Sequence, residues 1–446
     1  LGNRFHNKTK SEVVRRLLLF DPYTPLDSIK MKETARVLRS QYHIRRVYIQ
    51  PVATHSADSV DIRVNVLDSW SLYADAMGSL NEGTVRVFER NFLGLGHQLS
   101  GRYSQEIRGS TRPSFGFDYE IPNLYATTLN ASIGYSMDFD KYYYKYGSLS
   151  RPYYSLYTRW AGGASVYQRT FDDTILKNDS LYRPDFKVSG SNFWGSVSFP
   201  ILKRYTPVNR VTNMVFSLRY YRINYLKKPN EFLDPEHFYS DKNTFLASLG
   251  VNYIGYEQDR YIFRHQDIED IPIGKSVALI GGIQDNLGYR TPYLGGRLRY
   301  GDYFSFGYLA ADVQLGGFLT QKRNKQTTLR WEFTYFSPLF NIGQWHFRQF
   351  VKWRSVVGLS RKDYVKDRIS LNGSTGIIGF NSPTLTGIHK SILTLQTQSY
   401  SPFALWGFRV SPFLMGDIGF IGNDNRNLLK DQVLTKVGIG FYITND

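Results

Sequence analysis

The sequence predicts a mainly β protein: a transmembrane antiparallel β-barrel over residues 71–446, preceded by one small α+β module over residues 1–70. Three observations carry this. Aromatic residues make up 16% of the 446 residues, with 34 Tyr, 30 Phe and 7 Trp beside 38 Gly; aromatic side chains favour strands and settle well at a water–lipid boundary. From Leu72 onward apolar and polar residues alternate with a period of two, and no amphipathic helix interrupts them. That region runs to the C-terminus without a break, past the ~250–300 residues at which a single packed core stops growing.

The module reads as β-α-α-β-β. A first strand is expected near Asn3–Thr9 and a helix over Ser11–Phe20, where Val13, Val14, Leu17 and Leu18 share a face. Asp27 is a helix N-cap, followed by Met31, Ala35 and Leu38 at i, i+4, i+7. Two strands follow. Arg46–Val52 puts Val47 and Ile49 on one face, and Val60, Ile62, Val64 and Val66 alternate with Asp61, Arg63 and Asn65.

In the long region, Leu129, Ala131, Ile133, Tyr135 and Met137 oppose Asn130, Ser132, Gly134, Ser136 and Asp138. Leu329, Trp331, Phe333 and Tyr335 oppose Arg330, Glu332 and Thr334, and Val437, Ile439, Phe441 and Ile443 oppose Gly438, Gly440, Tyr442 and Thr444. A soluble β-sandwich also alternates, but here one face is apolar and the other carries charge, amide and glycine, which suits lipid outside and water inside. A closed barrel is the sheet form that satisfies every backbone group in lipid. Links alternate between short (Asn91–Gly96, Pro122–Tyr125) and long (Phe171–Arg183, Leu226–Asn243, Gln321–Thr327), as in barrels with short turns at one end and long loops at the other.

No run approaches the ~18 apolar residues of a spanning helix. Cysteine is absent, which removes disulfides, Cys-based zinc sites and thiol catalysis. No metalloprotease, nucleophile-elbow, P-loop or dinucleotide fingerprint occurs, and the eight histidines lack ligand spacing. The sequence therefore predicts no enzyme, no cofactor and no metal. The formal charge is +17, yet the basic residues are spread along the chain in short clusters such as Arg45-Arg46, Lys203-Arg204 and Lys322–Lys325. Contact with anionic lipid is expected rather than nucleic-acid binding.

The stretches Thr34–Ser40, Tyr42–Ile49 and Val60–Trp70, ending in Asp68-Ser69-Trp70-Ser71, resemble a polypeptide-transport-associated (POTRA) domain; on their own residues they fit any small α+β domain. Three further segments look like the outer-membrane assembly and two-partner-secretion superfamily. Asn91–Gly96 (NFLGLG) is similar to a periplasmic turn of the family, with Asn91, Phe92, Gly94 and Gly96 its defining residues. Leu371–Phe380 resembles the tip of the loop that folds into the lumen. Its family motif, an arginine followed by glycine and an aromatic, falls on Ile377, Ile378, Gly379 and Phe380, so isoleucine stands at the arginine position. Phe413–Phe420 is similar to the wall strand carrying the acidic partner and glycine, here Asp417 and Gly419. Read alone, Gly379 and Asp417 fit ordinary turn and lumen positions. Isoleucine cannot pair with a carboxylate. Either the loop is held apolarly, with Phe380 packed in the lumen, or Asp417 finds another cation.

The resemblance implies 16 strands, whereas a count along the chain gives about 15 before Gly376 and three after it; some of these are expected to be halves of bulged strands, as at Tyr220–Tyr221. The chain is expected to stop short of the family's final strands. It further implies an outer-membrane location in a Gram-negative bacterium with the POTRA domain in the periplasm, and ATP-free insertion or export of β-rich polypeptides. A lateral gate is expected at Leu72, Tyr73, Ala74 and Leu80. Expected partners are outer-membrane lipid and lipopolysaccharide, unfolded outer-membrane or secreted polypeptides, and accessory subunits. The alternative is a non-catalytic barrel subunit or passive pore acting as a scaffold.

Overall fold

The computed structural model describes residues 7–56, 58–78, 82–107, 112–178, 180–201, 212–319, 325–359, 368–373, 375–382, 384–423 and 432–445. The chain divides into two compact units: Leu1–Ser198 with Ser217–Phe245 and Gln284–Tyr289, and Phe199–Phe216 with Leu246–Ile283 and Arg290–Asp446.

The first unit opens with the small module. Its first helix, α1 (Ser11–Arg15), is shorter than the expected Ser11–Phe20. Leu17–Leu19 leave the helix, and the Leu19 N–H donates to Thr34 Oγ1 at 3.2 Å. The second, α2 (Ser28–Arg39), starts where Asp27 predicts: its carboxylate accepts from the Ile29 N–H at 3.0 Å and the Lys30 N–H at 3.3 Å. Antiparallel β1 (Ile44–Ala53) and β2 (Val60–Asp68) form a two-stranded sheet, with Val47 opposite Val66 and Ile49 opposite Val64. Val14, Leu17, Val37, Leu38, Ile44 and Val47 make the core, with Val64 and Val66 of β2 packed against it. The expected first strand, near Asn3–Thr9, is not formed by the described residues. Residues 3–6 lie outside them, and Asn7–Thr9 are not strand, because their polar groups bond elsewhere in the unit.

A meander follows in this unit: β3 (Leu72–Gly78), β4 (Glu82–Phe92), β5 (His97–Glu106), β6 (Pro113–Leu124), β7 (Leu129–Met137), β8 (Tyr143–Arg151) and β9 (Trp160–Asp172). Between β9 and the strand that pairs with it, β12 (Asp185–Pro200), lies a hairpin of β10 (Ile175–Lys177) and β11 (Ser180–Tyr182). Three long strands come next: β13 (Thr212–Lys227), which runs unbroken through Tyr220–Tyr221, β14 (Lys242–Asp259) and β15 (Glu269–Asn286).

The second unit carries the antiparallel run β16 (Tyr289–Phe304), β17 (Gly307–Phe318), β18 (Lys325–Phe336), β19 (Phe340–Ile342), β20 (Trp345–Gly358), then after a hairpin of β21 (Ile369–Ser370) and β22 (Thr386–Gly387), β23 (His389–Tyr400), β24 (Ala404–Leu405), β25 (Phe408–Gly422) and β26 (Gln432–Asn445). In hydrogen-bonded order the strands from β3 to β26, the two small hairpins apart, form a closed barrel. Of its twenty described segments, β19 and β24 extend β18 and β23, since each pair shares a neighbour.

Each strand presents two chemically distinct faces. On β26, Val437, Ile439, Phe441 and Ile443 are 62–79% exposed, while Lys436 on the opposite face meets Asp417. On β7, Ile133 and Tyr135 are exposed outward, and Asn130 and Ser132 line a cavity on the other side. Inside, aromatic rings occupy the space beside cross-strand glycines. A Cβ at Gly134 would come within 2.3 Å of the Tyr146 ring, and one at Gly440 within 2.2 Å of Phe413, so a larger residue would displace the ring.

Candidate functional site

In the first unit the module docks on the turn Asn91–Gly96. Leu93, Gly94 and Gly96 have φ of 56°, 73° and 72°; the glycines take this left-handed backbone without strain. They also leave room: a Cβ on Gly94 would sit 2.5 Å from Lys8 O, and one on Gly96 2.7 Å from the His43 ring. Fully buried Asn91 organises the contact. Its amide nitrogen donates to Asn7 O at 2.8 Å and Thr9 Oγ1 at 3.1 Å, and its amide oxygen accepts from the Gly96 N–H at 2.8 Å. The Lys10 N–H donates to Gly94 O at 3.0 Å. Phe92 faces Tyr119 edge-on at 6.5 Å.

A second bracket comes from α2. Arg36 and Glu33 form a bidentate pair at 2.8 Å. Arg36 also donates to Tyr154 O at 2.9 Å, and Glu33 accepts from the Leu156 N–H at 2.8 Å, tying the helix to the β8–β9 turn. His43 is buried between them, and burial holds its imidazole below its ordinary range against the opposing pull of the Asp68 charge. Of the expected gate residues, Tyr73 stacks on Phe88 at 4.8 Å under the Arg90 guanidinium, Leu72 is half-buried and Ala74 is exposed. Leu80 lies outside the described residues.

In the second unit the stretch Ile369–Gly387 packs on the inner face of β23, β25 and β26. Leu371, Ile377, Ile392 and Ile421 form a buried cluster, with Phe380, Leu385 and Leu434 packed against it. Phe380 packs against this cluster, and the side chain buried deepest from the motif is Ile377. It sits over Gly419, where a Cβ would come within 2.7 Å of Ile377 Cδ1. The Ile377 N–H donates to Leu371 O at 2.8 Å and Phe380 N–H to Ile377 O at 3.0 Å. With Gly379 at φ 85°, this turn sends Ile378 outward, 64% exposed. Asn372 clasps Ser382 by two hydrogen bonds of 2.8 and 2.9 Å. Arg354 and Lys390 donate to the loop carbonyls of Gly376, Ser370 and Thr375. Asp417, almost fully buried, accepts from Thr394 Oγ1 at 2.6 Å and pairs with Lys436 at 3.6 Å, its register partners on either side. A wall lysine therefore holds the carboxylate, and an isoleucine holds the loop.

A third feature escaped sequence reasoning. The β14–β15 connection, residues 260–268, turns inward and crosses the inner face of the second unit. Ile262 is buried against Ile271, Tyr308 and Phe336. Tyr400, 1% exposed, donates its hydroxyl to Ile262 O at 3.0 Å, and His265 Nε2 lies 3.1 Å from Ser401 O. Both ends are pinned. Asp259 takes Arg348 at 2.8 and 3.4 Å and the Tyr303 hydroxyl at 2.9 Å. Glu269 Oε1 accepts from the Ile262, Phe263 and Arg264 N–H groups at 2.8–3.0 Å. The signal in the sequence is an acidic residue at each end, whose partners only the folded chain brings together.

Fold and site define a closed β-barrel with a docked helix-and-hairpin module at one turn and an inward-folded loop. No protein-family model and no curated protein matches the chain. Among solved structures it is similar to BamA from Haemophilus ducreyi lacking POTRA domains 1–3, at 13% identity and TM-score 0.34, covering 97% of this chain and 76% of that one. It is also similar to CdiB from Acinetobacter baumannii (11%, TM-score 0.41, 98% and 73%) and CdiB from Escherichia coli (8%, TM-score 0.49, 97% and 74%).

Proposed function

We propose that the chain is an outer-membrane barrel of the assembly and secretion type, located in a Gram-negative bacterium, which assists the insertion or export of β-rich polypeptides without ATP. In this reading residues 1–70 are a periplasmic POTRA domain. The observation that carries it is the pairing of an exposed apolar outer face with a polar inner one, as on β26. So large an apolar surface is unstable in water and suits lipid. The polypeptide-handling part is supported by the module, whose sheet, two-stranded among the described residues, offers its edges for β-augmentation. β3 then templates an incoming strand once its seam in the closed sheet opens.

Reconstitution tests it. Liposomes bearing the chain should accelerate folding of a urea-denatured outer-membrane barrel protein, read by heat-modifiable mobility, over empty liposomes; equal rates would refute it. A second reading, a scaffold or passive pore, is favoured by one observation: Lys436 occupies Asp417 and Ile378 points away, so the loop is fixed by packing. That reading predicts no acceleration, and a changed conductance when Ile369–Gly387 is deleted.

A further inference from the structure

We infer that the inner wall formed by β4–β8, beside Tyr42 of the module, binds an extended polypeptide segment through a basic side chain, with Glu120 as the counter-charge. The inference rests on the polypeptide-handling reading and names what that wall would recognise. The wall encloses a cavity of about 450 Å³, and a second of about 230 Å³ lies beneath the module. Tyr42, Gln98, Glu120 and Asn130 line both, so the two spaces meet at these four side chains. The larger is within the usual range for small-ligand sites.

Its charge runs against the composition. In a chain of net +17, this cavity is faced by Glu89, Asp118 and Glu120 against one cation, Arg90. Two of the acids are engaged. Glu89 accepts from the Asn91 N–H at 2.8 Å, and Asp118 accepts from the Tyr146 hydroxyl at 2.9 Å and that of Ser100 at 3.4 Å. Arg90 is engaged too, bonded to the Tyr73 hydroxyl and stacked between the rings of Tyr73 and Tyr42 at 4.4 and 5.7 Å. Among the described residues, half-buried Glu120 has neither hydrogen bond nor ion pair, and its cross-strand neighbours are Gln98 and Ser132. A carboxylate in a partly desolvated cavity is stabilised by an entering cation. Gln98 and Asn130 beside it carry amides, which both donate and accept as peptide groups require. Together they favour a peptide carrying arginine or lysine over a neutral sugar.

Titration calorimetry on the detergent-solubilised full chain tests this, with amidated tri-arginine as probe and tri-glutamate and maltotriose as comparators. Tri-arginine should bind the native chain, weaken with salt, and lose affinity about tenfold or more on Glu120→Gln, with Glu120→Asp retaining most of it. Should Glu120→Gln lose its heat-modifiable fold, Gln98→Ala and Asn130→Ala carry the test, each weakening tri-arginine. No binding of tri-arginine, equal binding by the variants, or tighter binding of maltotriose would overturn the inference. Tri-arginine binding without acceleration in the liposome assay would count against the proposed function and leave this site standing.

Discussion

Replacing Asn91 with alanine should loosen the module from the turn it sits on. The side chain is fully buried and makes three hydrogen bonds, to Asn7 O, Thr9 Oγ1 and the Gly96 N–H. Alanine leaves the Asn7 carbonyl and the Gly96 N–H without that partner. A buried group stripped of its partner costs about 1–3 kcal/mol. The Gly96 bond is buried and the Asn7 bond half-buried, so the pair is worth about 2–4 kcal/mol, or roughly 30- to 1,000-fold in the opening equilibrium. Hydrogen exchange at the Lys10 N–H reports it, because that group bonds Gly94 O and is untouched by the substitution itself. Exchange there should accelerate by about 30-fold or more, and Asn91→Asp, which keeps only the acceptor for Gly96, should fall between. An Asn91→Ala chain whose Lys10 exchange changes by less than about threefold would show that the side-chain bracket does not hold the module.

Gly419→Val should push Ile377 out of its seat and destabilise the folded loop by about 1–3 kcal/mol, seen as protease cleavage within Ile369–Gly387 that the native chain resists. Arg348→Leu strips Asp259 of a bidentate, almost fully buried partner and should cost about 3–5 kcal/mol in urea unfolding, with Arg348→Lys failing to restore it because lysine lacks the planar fork. His43 is held neutral by burial, so the unfolded chain binds more protons below its ordinary pKa of about 6.5. The stability it contributes is present above that pH and is lost as pH falls toward the lowered folded value. Melting temperatures taken from pH 8 to pH 5 should fall more steeply for the native chain than for His43→Gln.

The strand wall was legible because one face of every strand must be apolar and the other polar, which writes a period of two into the sequence. Asn91, Gly94 and Gly96 were legible as a tight turn, but not as the seat of the module, since their partners are backbone groups of residues 7–10. The residues Ile377–Phe380 lie in the stretch that packs on β23, β25 and β26. Which side chain entered the wall was set by the Leu371–Ile377 hydrogen bond and the positive φ of Gly379, and periodicity carries neither. Lys436 could be named as the partner of Asp417 only once the register of β25 and β26 was known. The inward β14–β15 connection was hidden because spacing along the chain does not name Arg348 and Tyr303 as partners of Asp259, or the backbone N–H groups of Ile262, Phe263 and Arg264 as partners of Glu269.

The outward and inward faces of β26 give the most direct measurement. The chain has no cysteine, so single cysteines at positions 436–441 can be probed one at a time in liposomes with a water-soluble thiol reagent and with a fluorophore quenched by brominated lipid. Quenching by lipid should mark 437, 439 and 441, and the aqueous reagent should favour 436, 438 and 440. Uniform labelling along the strand, or lipid quenching at 436, 438 and 440, would contradict a barrel with its apolar face in lipid.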